Sequence, residues 1–517
     1  MVRKLILPFL LLLTFLPSPG ASGQEPNQAT SLEVFVSDKS GKRVTGLTRE
    51  DFQVLEAGRP AEVTHFAAAG SGAAEPEAQR LQLVIVIDDL SLNTQSRGRF
   101  LKALREELVP RLQPQEVALV ATSQGSAVEV VQGLTADKGL LLAALDRVEK
   151  SAPRGREGAM EGRRLRQEIQ QAQLPNGSPT DLAEINAKVI YDGIRRYAER
   201  RADESRGTLA ALTGFVDNLA GLPGRKSLLY VGGGLSLRPG EALYQAWDAK
   251  LGQLSGKAGA SSLESFRNDL TAGFNALVQH ANGTRVTVYT LGATEDLEQA
   301  SLIDSLLRLA DGTGGLSAVN VNDPGLLLAQ MSDDFHSYYS LGFVPQGNRE
   351  PRKIAVAVRG RSDLVVRSRS GQHERSGREQ EMDRTMAALM LDPGQNPLEV
   401  ALEFTRETKK AEGQLEVEML VKFPLSHLVL QPSGDFHEGK VSIWVSTRDQ
   451  SGRTSPVHAT AVPIHVPNDQ VLTALGQNAA YKMQLLLRPE EHRIAVAVHD
   501  ELGHVDSAVS VPFKPGQ

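Results

Sequence analysis

Hydrophobic residues between positions 30 and 90 follow two different patterns. Leu32, Val34 and Val36 recur at every second position, as in a strand that buries one face. Leu83–Ile87 is a continuous apolar run, which is typical of a strand buried on both faces of a parallel sheet. This change of pattern predicts a small β unit over residues 28–67, then a linker, then a domain of a different fold class.

Strands and helices alternate along residues 80–345. After Leu83–Ile87, a hairpin at a sheet edge is predicted around residues 117–131, and a strongly helical, charged insertion at about residues 150–221. Further strands are predicted at Ser227–Val231, Val286–Leu291, Gly314–Val319 and Tyr338–Val344, with helices between them. Such alternation predicts an α/β domain with a doubly wound, mostly parallel sheet.

The last third of the chain, from about residue 350, has the alternating pattern of β structure again. Lys353–Val358 and Leu364–Arg367 predict a hairpin within residues 350–372, which we expect to complete the N-terminal β unit, with the α/β domain inserted between the two parts. A charged stretch at about residues 371–384 is predicted to be a linker. Alternating strands between Leu398 and Phe513 then predict a C-terminal β-sandwich over residues 392–515.

The N-terminus has the pattern of a secretory signal. Arg3 and Lys4 precede the apolar run Leu5–Leu16, which is shorter than the roughly 20 residues that a bilayer-spanning helix needs. Small residues follow at Ala21–Gly23, so we expect residues 1–23 to be a cleaved signal peptide. The predicted localisation is therefore secreted or periplasmic.

Composition removes several classes of function. The chain has no cysteine, which excludes disulfides, thiolate metal sites, cysteine nucleophiles and a lipoprotein anchor. A formal net charge of −6 gives no reason to expect nucleic-acid binding. No other apolar segment approaches the length of a bilayer-spanning helix, so no transmembrane segment is predicted in the mature chain.

Candidate chemistry lies where the first buried strand ends. Asp88 and Asp89 follow that strand directly, and Ser91 comes two residues later. In open α/β sheets ligands bind outside the carboxyl ends of the strands, and oxygen ligands of this kind suit Mg²⁺ or another divalent cation. Asp88, Asp89 and Ser91 are thus candidate metal ligands. The alternative is a turn whose acidic side chains cap the next helix.

Several stretches resemble the von Willebrand factor A fold, and more narrowly exported bacterial proteins related to it. The resemblance covers about residues 32–372 and rests on Ile85–Ser91, the Val117–Val131 hairpin, Leu222–Tyr230, Val44–Phe52, Leu309–Gly315 and Tyr338–Phe343. It implies a metal-dependent adhesion site built from Asp-x-Ser-x-Ser, a threonine of a second loop and an aspartate of a third loop.

This sequence departs from that implied site at several positions. With Asp88 as the motif's aspartate, Leu90 and Leu92 occupy both hydroxyl positions. The third-loop acid falls at 232–234, where there are only glycines, and the second-loop threonine would be Thr180, preceded by extra residues. We therefore predict a degenerate, incomplete adhesion site, and more readily a turn than a physiological metal site.

Other signals for chemistry are weaker. His499, Asp500, Glu501 and His504 form a group of potential metal ligands, but they sit between two alternating strands, as in a polar hairpin turn. The signatures of zinc proteases and of serine hydrolases are both absent from the sequence. No nucleophile with a partner base can be named, so the sequence predicts a protein that is not an enzyme.

The function predicted from these features is a secreted protein-binding or adhesion module with a protein or glycan ligand. The α/β domain over residues 80–345, called the A-like domain below, would bind that ligand at the edge of its sheet where the parallel strands end, its strand-end face. The alternatives are a structural or assembly component of the cell envelope and, further removed, an envelope hydrolase. A deep pocket lined by acids or histidines would favour the hydrolase.

Overall fold

The computed structural model describes residues 30–69, 80–151, 156–172, 181–252, 260–294, 299–344, 352–372, 375–391, 394, 396–410 and 413–516. The predicted signal peptide, residues 1–23, lies outside these ranges, as does most of the predicted linker before residue 80. The chain divides into two compact units. Of the described residues, those from 30 to 219 and from 223 to 372 form the large unit, and those from 375 to 516, with 220–222, form the C-terminal unit.

The large unit combines antiparallel β structure with an α/β sheet. Its strands are β1 (Thr30–Ser37), β2 (Phe52–Glu56), β3 (Arg59–Ala61), β4 (Val63–Ala68), β5 (Leu81–Asp88), β6 (Val117–Ser123), β7 (Val128–Thr135), β8 (Arg225–Gly232), β9 (Val286–Gly292), β10 (Ser317–Val319), β11 (Tyr339–Phe343), β12 (Arg352–Val358), β13 (Val365–Ser368) and β14 (Gly371–Gln372). Its helices are α1 (Thr94–Ala103), α2 (Lys138–Lys150), α3 (Arg156–Gln171), α4 (Asp181–Leu219), α5 (Glu241–Leu251), α6 (Ala260–Arg267), α7 (Thr271–Gly283), α8 (Gln299–Thr313) and α9 (Gly325–His336).

A six-stranded sheet forms the centre of the large unit. Its strand order is β10-β9-β8-β5-β6-β7, in which only the edge strand β7 is antiparallel to its neighbour. Every residue of β5, β8 and β9 is buried, as the continuous apolar runs predicted. In chain order this is the 3-2-1-4-5-6 arrangement of doubly wound sheets, whose order reverses between β5 and β8.

The N-terminal strands pair with strands that follow the α/β segment. One four-stranded sheet has the order β13-β1-β11-β4 and the other β14-β12-β2-β3, with every pairing antiparallel. Side chains from both sheets share one hydrophobic cluster that includes Leu32, Val54, Leu341 and Ile354. The α/β segment is therefore inserted between β4 and β11 of a two-sheet β unit.

Two strand predictions were wrong. The segment Tyr338–Val344 was predicted as the last strand of the parallel sheet, yet β11 pairs with β1 and β4 in the β unit. Tyr339, Leu341 and Phe343 alternate with Ser340 and Gly342, a pattern that suits an antiparallel strand with one core face. The predicted hairpin of β12 and β13 is also absent, because β12 pairs with β2 while β13 pairs with β1.

The C-terminal unit contains helix α10 (Gly377–Leu391), helix α11 (Val471–Ala474) and two antiparallel sheets. Its strands are β15 (Ala401–Lys409), β16 (Leu415–Pro424), β17 (Gln431–Ser433), β18 (Phe436–Asp449), β19 (His458–Pro467), β20 (Asn478–Leu487), β21 (His492–Asp500) and β22 (Val505–Phe513). One sheet has the order β15-β16-β20; the other has the order β17-β18-β21-β22, with β19 also paired to β18. One hydrophobic cluster includes side chains from both sheets.

Part of the predicted linker is helical. Helix α10 begins at Gly377, inside the stretch predicted as a linker, because the charged residues on its surface mask a buried face. That face includes Glu381, Thr385, Ala388 and Leu389. Among all residues that the structure describes, no helix has both the length and the apolar character required to cross a bilayer.

Candidate functional site

The predicted site lies at the point where the sheet order reverses. Asp88 is the last residue of β5, and β8 runs parallel beside it. In a doubly wound sheet this crevice between the first and fourth strands is where a ligand binds. The contacts of Asp88 therefore decide what the crevice can hold.

Asp88 accepts hydrogen bonds from side chains on both sides of the crevice. The Tyr230 hydroxyl of β8 donates to Asp88 Oδ2 over 2.5 Å, and the Ser91 hydroxyl donates to the same oxygen over 2.7 Å. The other oxygen, Oδ1, accepts from the Leu90 backbone N–H over 3.1 Å. Both carboxylate oxygens thus have donors from the protein itself.

Burial dominates the ionisation of this pair. Asp88 is only 2% exposed, and desolvation raises the pKa of its carboxyl, although the hydrogen bonds from Tyr230 and Ser91 oppose that effect. Burial, and then the charge of Asp88, hold the pKa of Tyr230 well above its usual value. The Tyr230 hydroxyl consequently keeps its proton and remains a donor to Asp88.

Asp89 points to a different partner. The Arg97 Nε of helix α1 lies 2.9 Å from Asp89 Oδ1, and both side chains are more than nine-tenths buried. Arg97 also donates to the backbone oxygens of Val148 and Ser151 at the end of α2. Asp89 therefore balances a buried guanidinium that links two helices.

The leucines of the motif serve packing. Leu92 is fully buried in the core of the sheet, and the Leu90 side chain lies against Gly125 in the turn between β6 and β7. The helix cap is Asn93, whose side chain accepts from the Ser96 backbone N–H over 2.8 Å. Neither aspartate supplies that cap, although a cap from the acids was the alternative that the sequence offered.

The glycines after β8 leave no room for a third-loop acid. A Cβ atom at Gly232 would lie 2.7 Å from the Tyr230 ring, and one at Gly233 would lie 2.7 Å from the Ser91 backbone oxygen. The Gly233 backbone N–H instead donates to Ser91 Oγ over 2.7 Å. The missing side chains are what allow the Tyr230 phenol and the Ser91 turn to fill the crevice.

Helix α4, from the predicted insertion, runs across the strand-end side of the sheet. A Cβ atom at Gly207 would lie 3.6 Å from Ser126 in the turn after β6, and one at Gly240, after β8, would lie 2.7 Å from the Ala198 side chain. The positive charge of Arg201 on the same helix stabilises ionised Asp88. Thr180, the candidate second-loop ligand, lies outside the described residues.

The residues at the end of β5 do not fit a divalent cation. The structure brings Asp88 and Ser91 together, directs Asp89 to Arg97, and places a phenol at the oxygen that would face an ion. A cation would have to displace the Tyr230 hydroxyl and enter a crevice closed by protein groups. Tyr230 and Arg97 carry no sequence signal, because one resembles a core residue of a strand and the other a surface residue of a helix.

Replacing Tyr230 by phenylalanine tests this arrangement. We expect the Tyr230→Phe variant to lose about 1–3 kcal/mol of unfolding free energy, because the buried Asp88 Oδ2 loses one of its two donors. The measurement is urea denaturation of both proteins with and without Mg²⁺. Stabilisation of the wild-type protein by Mg²⁺ that Asp88→Ala abolishes would contradict the closed site.

A second feature is a cleft of about 1080 Å³ in the C-terminal unit. It opens between β19 and β20, and most of the side chains that line it, from both sheets, are apolar, with polar ones such as Thr460, Gln470 and Gln484 among them. The apolar ones include Phe423, Val462, Ile464, Val466, Tyr481, Met483, Leu485 and Leu487. No cluster of acids lines this cleft among the residues that the structure describes there; the histidines at its rim are His458 and His465.

The cleft exists because the core is incompletely covered along β20. Tyr481, Met483 and Leu485 lie on the same face of β20 as buried Leu487, yet all three are only half-buried. Among the described strands, β20 pairs only with β16, and β19 pairs only with β18. Each of these two edge strands therefore presents a row of backbone groups that no neighbouring strand uses.

Comparison with known proteins gives limited information. No model of a known protein family matches the chain, and no curated protein sequence matches it. Similar solved structures include the SpRpn10 VWA domain, with 11% identity and a TM-score of 0.23, over 49% of this chain and 94% of that domain. Another is the ArnB paralog VWA2 from Sulfolobus acidocaldarius, with 10% identity and a TM-score of 0.21, over 93% of this chain and 74% of that one.

A third similar structure belongs to a different kind of protein. A putative β-galactosidase from Bacteroides fragilis matches at 12% identity and a TM-score of 0.16, over 23% of this chain and 16% of that chain. The chain thus spans less than a fifth of the length of that enzyme. The fold class rests on the strand order of the chain itself.

Proposed function

We propose that this chain is an exported, non-enzymatic binding protein that captures an extended segment of a partner protein in the cleft between β19 and β20. The A-like domain is its scaffold, with a degenerate adhesion site that works without a metal. The observation that carries the proposal is the apolar cleft beside two unpaired strand edges.

The lining of the cleft favours a peptide over a glycan. Aliphatic and aromatic side chains bury apolar surface, whereas the hydroxyl groups of a glycan would lose hydrogen bonds to water in such a cleft. A peptide in the extended conformation can add to the free edge of β20, so that its backbone groups pair and alternate side chains enter the cleft. The ten residues of β20 set the length of such a segment.

The strand-end face of the α/β sheet is a weaker candidate for the binding surface. Its acids are turned inward to Tyr230 and Arg97, and helix α4 runs across it. The proposal therefore differs from the sequence-based prediction, which placed the ligand on that face. Export is supported by the N-terminal pattern of Arg3, Lys4 and the Leu5–Leu16 run, and places the binding event in the periplasm or outside the cell.

The experiment uses a labelled decapeptide in which valine alternates with lysine and glutamate. We expect it to bind the full chain and to bind the Met483→Glu variant at least about tenfold more weakly, because that charge enters the apolar cleft. Fluorescence anisotropy gives both affinities. The matched control is Leu502→Glu, at a 36% exposed leucine between β21 and β22 that does not line the cleft, and this change should leave binding unchanged.

Two results would count against the proposal. One is equal binding of the decapeptide by wild-type protein and Met483→Glu. The other is binding of a fluorescent fatty acid, but of no peptide, which would assign the cleft to a small apolar ligand. A decapeptide of the same length with proline at every second position should fail to bind, because proline lacks the backbone N–H that pairing with a strand edge requires.

A further inference from the structure

Helix α10 packs against the outer face of a sheet in the C-terminal unit. Small residues at the contact, Ala388 on the helix and Ala495, Ala497 and Ala508 on β21 and β22, allow the two to approach closely. Because side chains alternate along a strand, His499 lies on the same outer face as Ala495 and Ala497. The helix therefore brings its own polar residues to His499.

Three potential metal ligands meet at this contact. His499 and Asp506 are directly opposite each other on β21 and β22, with Nδ1 of the histidine 2.5 Å from Oδ1 of the aspartate. Glu381 of α10 places its Oε1 3.8 Å from the same nitrogen. One ligand atom from each of the three residues lies within 4.8 Å of the others, so small side-chain movements would bring all three to one ion.

Glu381 has a buried oxygen without a partner. The residue is only 8% exposed, and its Oε2 accepts no hydrogen bond from the residues that the structure describes. Burial raises the pKa of this carboxyl, which reflects the cost of holding its charge away from water. Such an unsatisfied buried oxygen is unusual in a folded protein and indicates a missing cationic or hydrogen-bonding partner.

Arg384 accounts for only part of the negative charge. Its guanidinium contacts Oε1 of Glu381 and lies 2.8 Å from Oδ2 of Asp506. The other oxygen of each carboxylate, Oε2 of Glu381 and Oδ1 of Asp506, has no contact with this guanidinium, and the Asp506 oxygen faces His499. One cation thus serves two carboxylates, and the remaining charge is balanced when His499 is protonated or when an ion takes the place of that proton.

We propose that Glu381, His499 and Asp506 bind a divalent transition-metal ion, with zinc as the ion that suits them best. An imidazole nitrogen with two carboxylate oxygens is a donor set that zinc accepts, whereas Mg²⁺ prefers oxygen ligands alone. The exposed His504 ring lies 6.2 Å from the His499 ring and is not one of the three proposed ligands. This site is separate from the cleft and from the proposed peptide binding.

The site differs from the group of residues that the sequence places together. Asp500 accepts hydrogen bonds from the Val429 and Leu502 backbone N–H groups, and Glu501 accepts from the Ser442 hydroxyl. Those two acids are thus engaged elsewhere. The partners of His499 come instead from the facing strand and from a helix more than a hundred residues earlier in the chain.

Zinc binding should release a proton. An imidazole binds zinc only through an unprotonated nitrogen, so a proton and zinc compete for Nδ1 of His499. We expect zinc affinity to fall as the pH is lowered.

The test is isothermal titration of the full chain with ZnCl₂ in two buffers that differ in their enthalpy of ionisation. We expect one zinc ion per chain with release of a proton, and at least about tenfold weaker binding by His499→Ala and by Glu381→Gln. Co²⁺ in place of Zn²⁺ should give visible absorption bands that both variants lose. The Glu381→Gln change keeps size and shape, so it guards against a folding defect in the other variant.

The matched control is His465→Ala, which removes another histidine of the C-terminal unit that lies 3.6 Å from a carboxylate, Glu438. That change should leave the zinc titration unaltered. The proposal is overturned if zinc gives no saturable heat, or if His499→Ala and Glu381→Gln bind zinc as tightly as wild-type protein. It is equally overturned if His465→Ala alone abolishes binding.

Discussion

Replacing Asp334 by alanine is expected to lower the unfolding free energy of the large unit by about 3–5 kcal/mol. Asp334 on α9 is fully buried. Its two carboxylate oxygens accept hydrogen bonds from Nη2 of Arg367, over 2.8 Å at Oδ1 and 2.9 Å at Oδ2. It also pairs with Arg43 and accepts from the Tyr289 hydroxyl over 3.0 Å. Removing it leaves two guanidinium groups in a buried site without their counter-charge.

The position of these partners explains the size of the effect. Arg43 follows β1 and Arg367 lies on β13, whereas Tyr289 lies on β9 of the parallel sheet. Asp334 therefore joins the two-sheet β unit to the inserted α/β segment. Local hydrogen exchange, followed by mass spectrometry, should increase in β1 and β13 of the Asp334→Ala variant as well as in α9.

The neighbouring residue provides the control. Asp333 is exposed on the same helix, so Asp333→Ala changes the charge by the same amount without opening a buried site. Urea denaturation of both variants measures the difference. If Asp333→Ala and Asp334→Ala were equally stable, the buried ion pairs would not hold the two parts of the large unit together.

The parallel sheet was the part of the fold that local sequence patterns could predict. Each of its central strands is a short run of residues buried on both faces, and such a run is visible without knowledge of its neighbours. The pairing of β12 with β2 was different, because the partners lie some three hundred residues apart. Arg359–Asp363 looks like a local turn, which made a hairpin of β12 and β13 the natural but wrong prediction.

The sequence predicted where the acidic residues lie at the strand ends, but it did not predict which side chains they contact. The sequence placed Asp88 at the end of a buried strand, where the structure has it. Nothing local indicates that Tyr230, more than a hundred residues later, would donate to it, since a tyrosine in an apolar run reads as a core residue. The contacts of Asp334 were invisible for the same reason, because its burial is set by elements from both ends of the large unit.

The cleft and the His499 cluster depend on the number and order of strands. Alternation along Tyr481, Met483 and Leu485 predicts a core face, but whether another strand covers that face is a property of the whole sheet. Sequence neighbours were likewise misleading at His499, because Asp500 and Glu501 make other contacts while Asp506 and Glu381 approach from separate elements.

Replacing Arg97 by methionine is expected to cost about 3–5 kcal/mol of unfolding free energy, since Asp89 would lose the cation beside it in a buried site. Methionine keeps much of the apolar stem, so the loss reports the guanidinium contacts with Asp89, Val148 and Ser151. Lys102→Met on the same helix is the control, because its side chain is 72% exposed and should contribute little.

A double-mutant cycle separates this ion pair from a binding site for a metal. If Asp89 serves to balance Arg97, the double variant Asp89→Ala/Arg97→Met should lose less unfolding free energy than the two single variants lose together. We expect the difference to be at least about 1 kcal/mol. If Asp89 instead serves a cation, its removal should cost little in metal-free protein, and the two losses should add. Additive losses in metal-free buffer, with a gain in stability on adding Mg²⁺ that Asp89→Ala abolishes, would therefore overturn the ion-pair role and restore the strand end as a metal site.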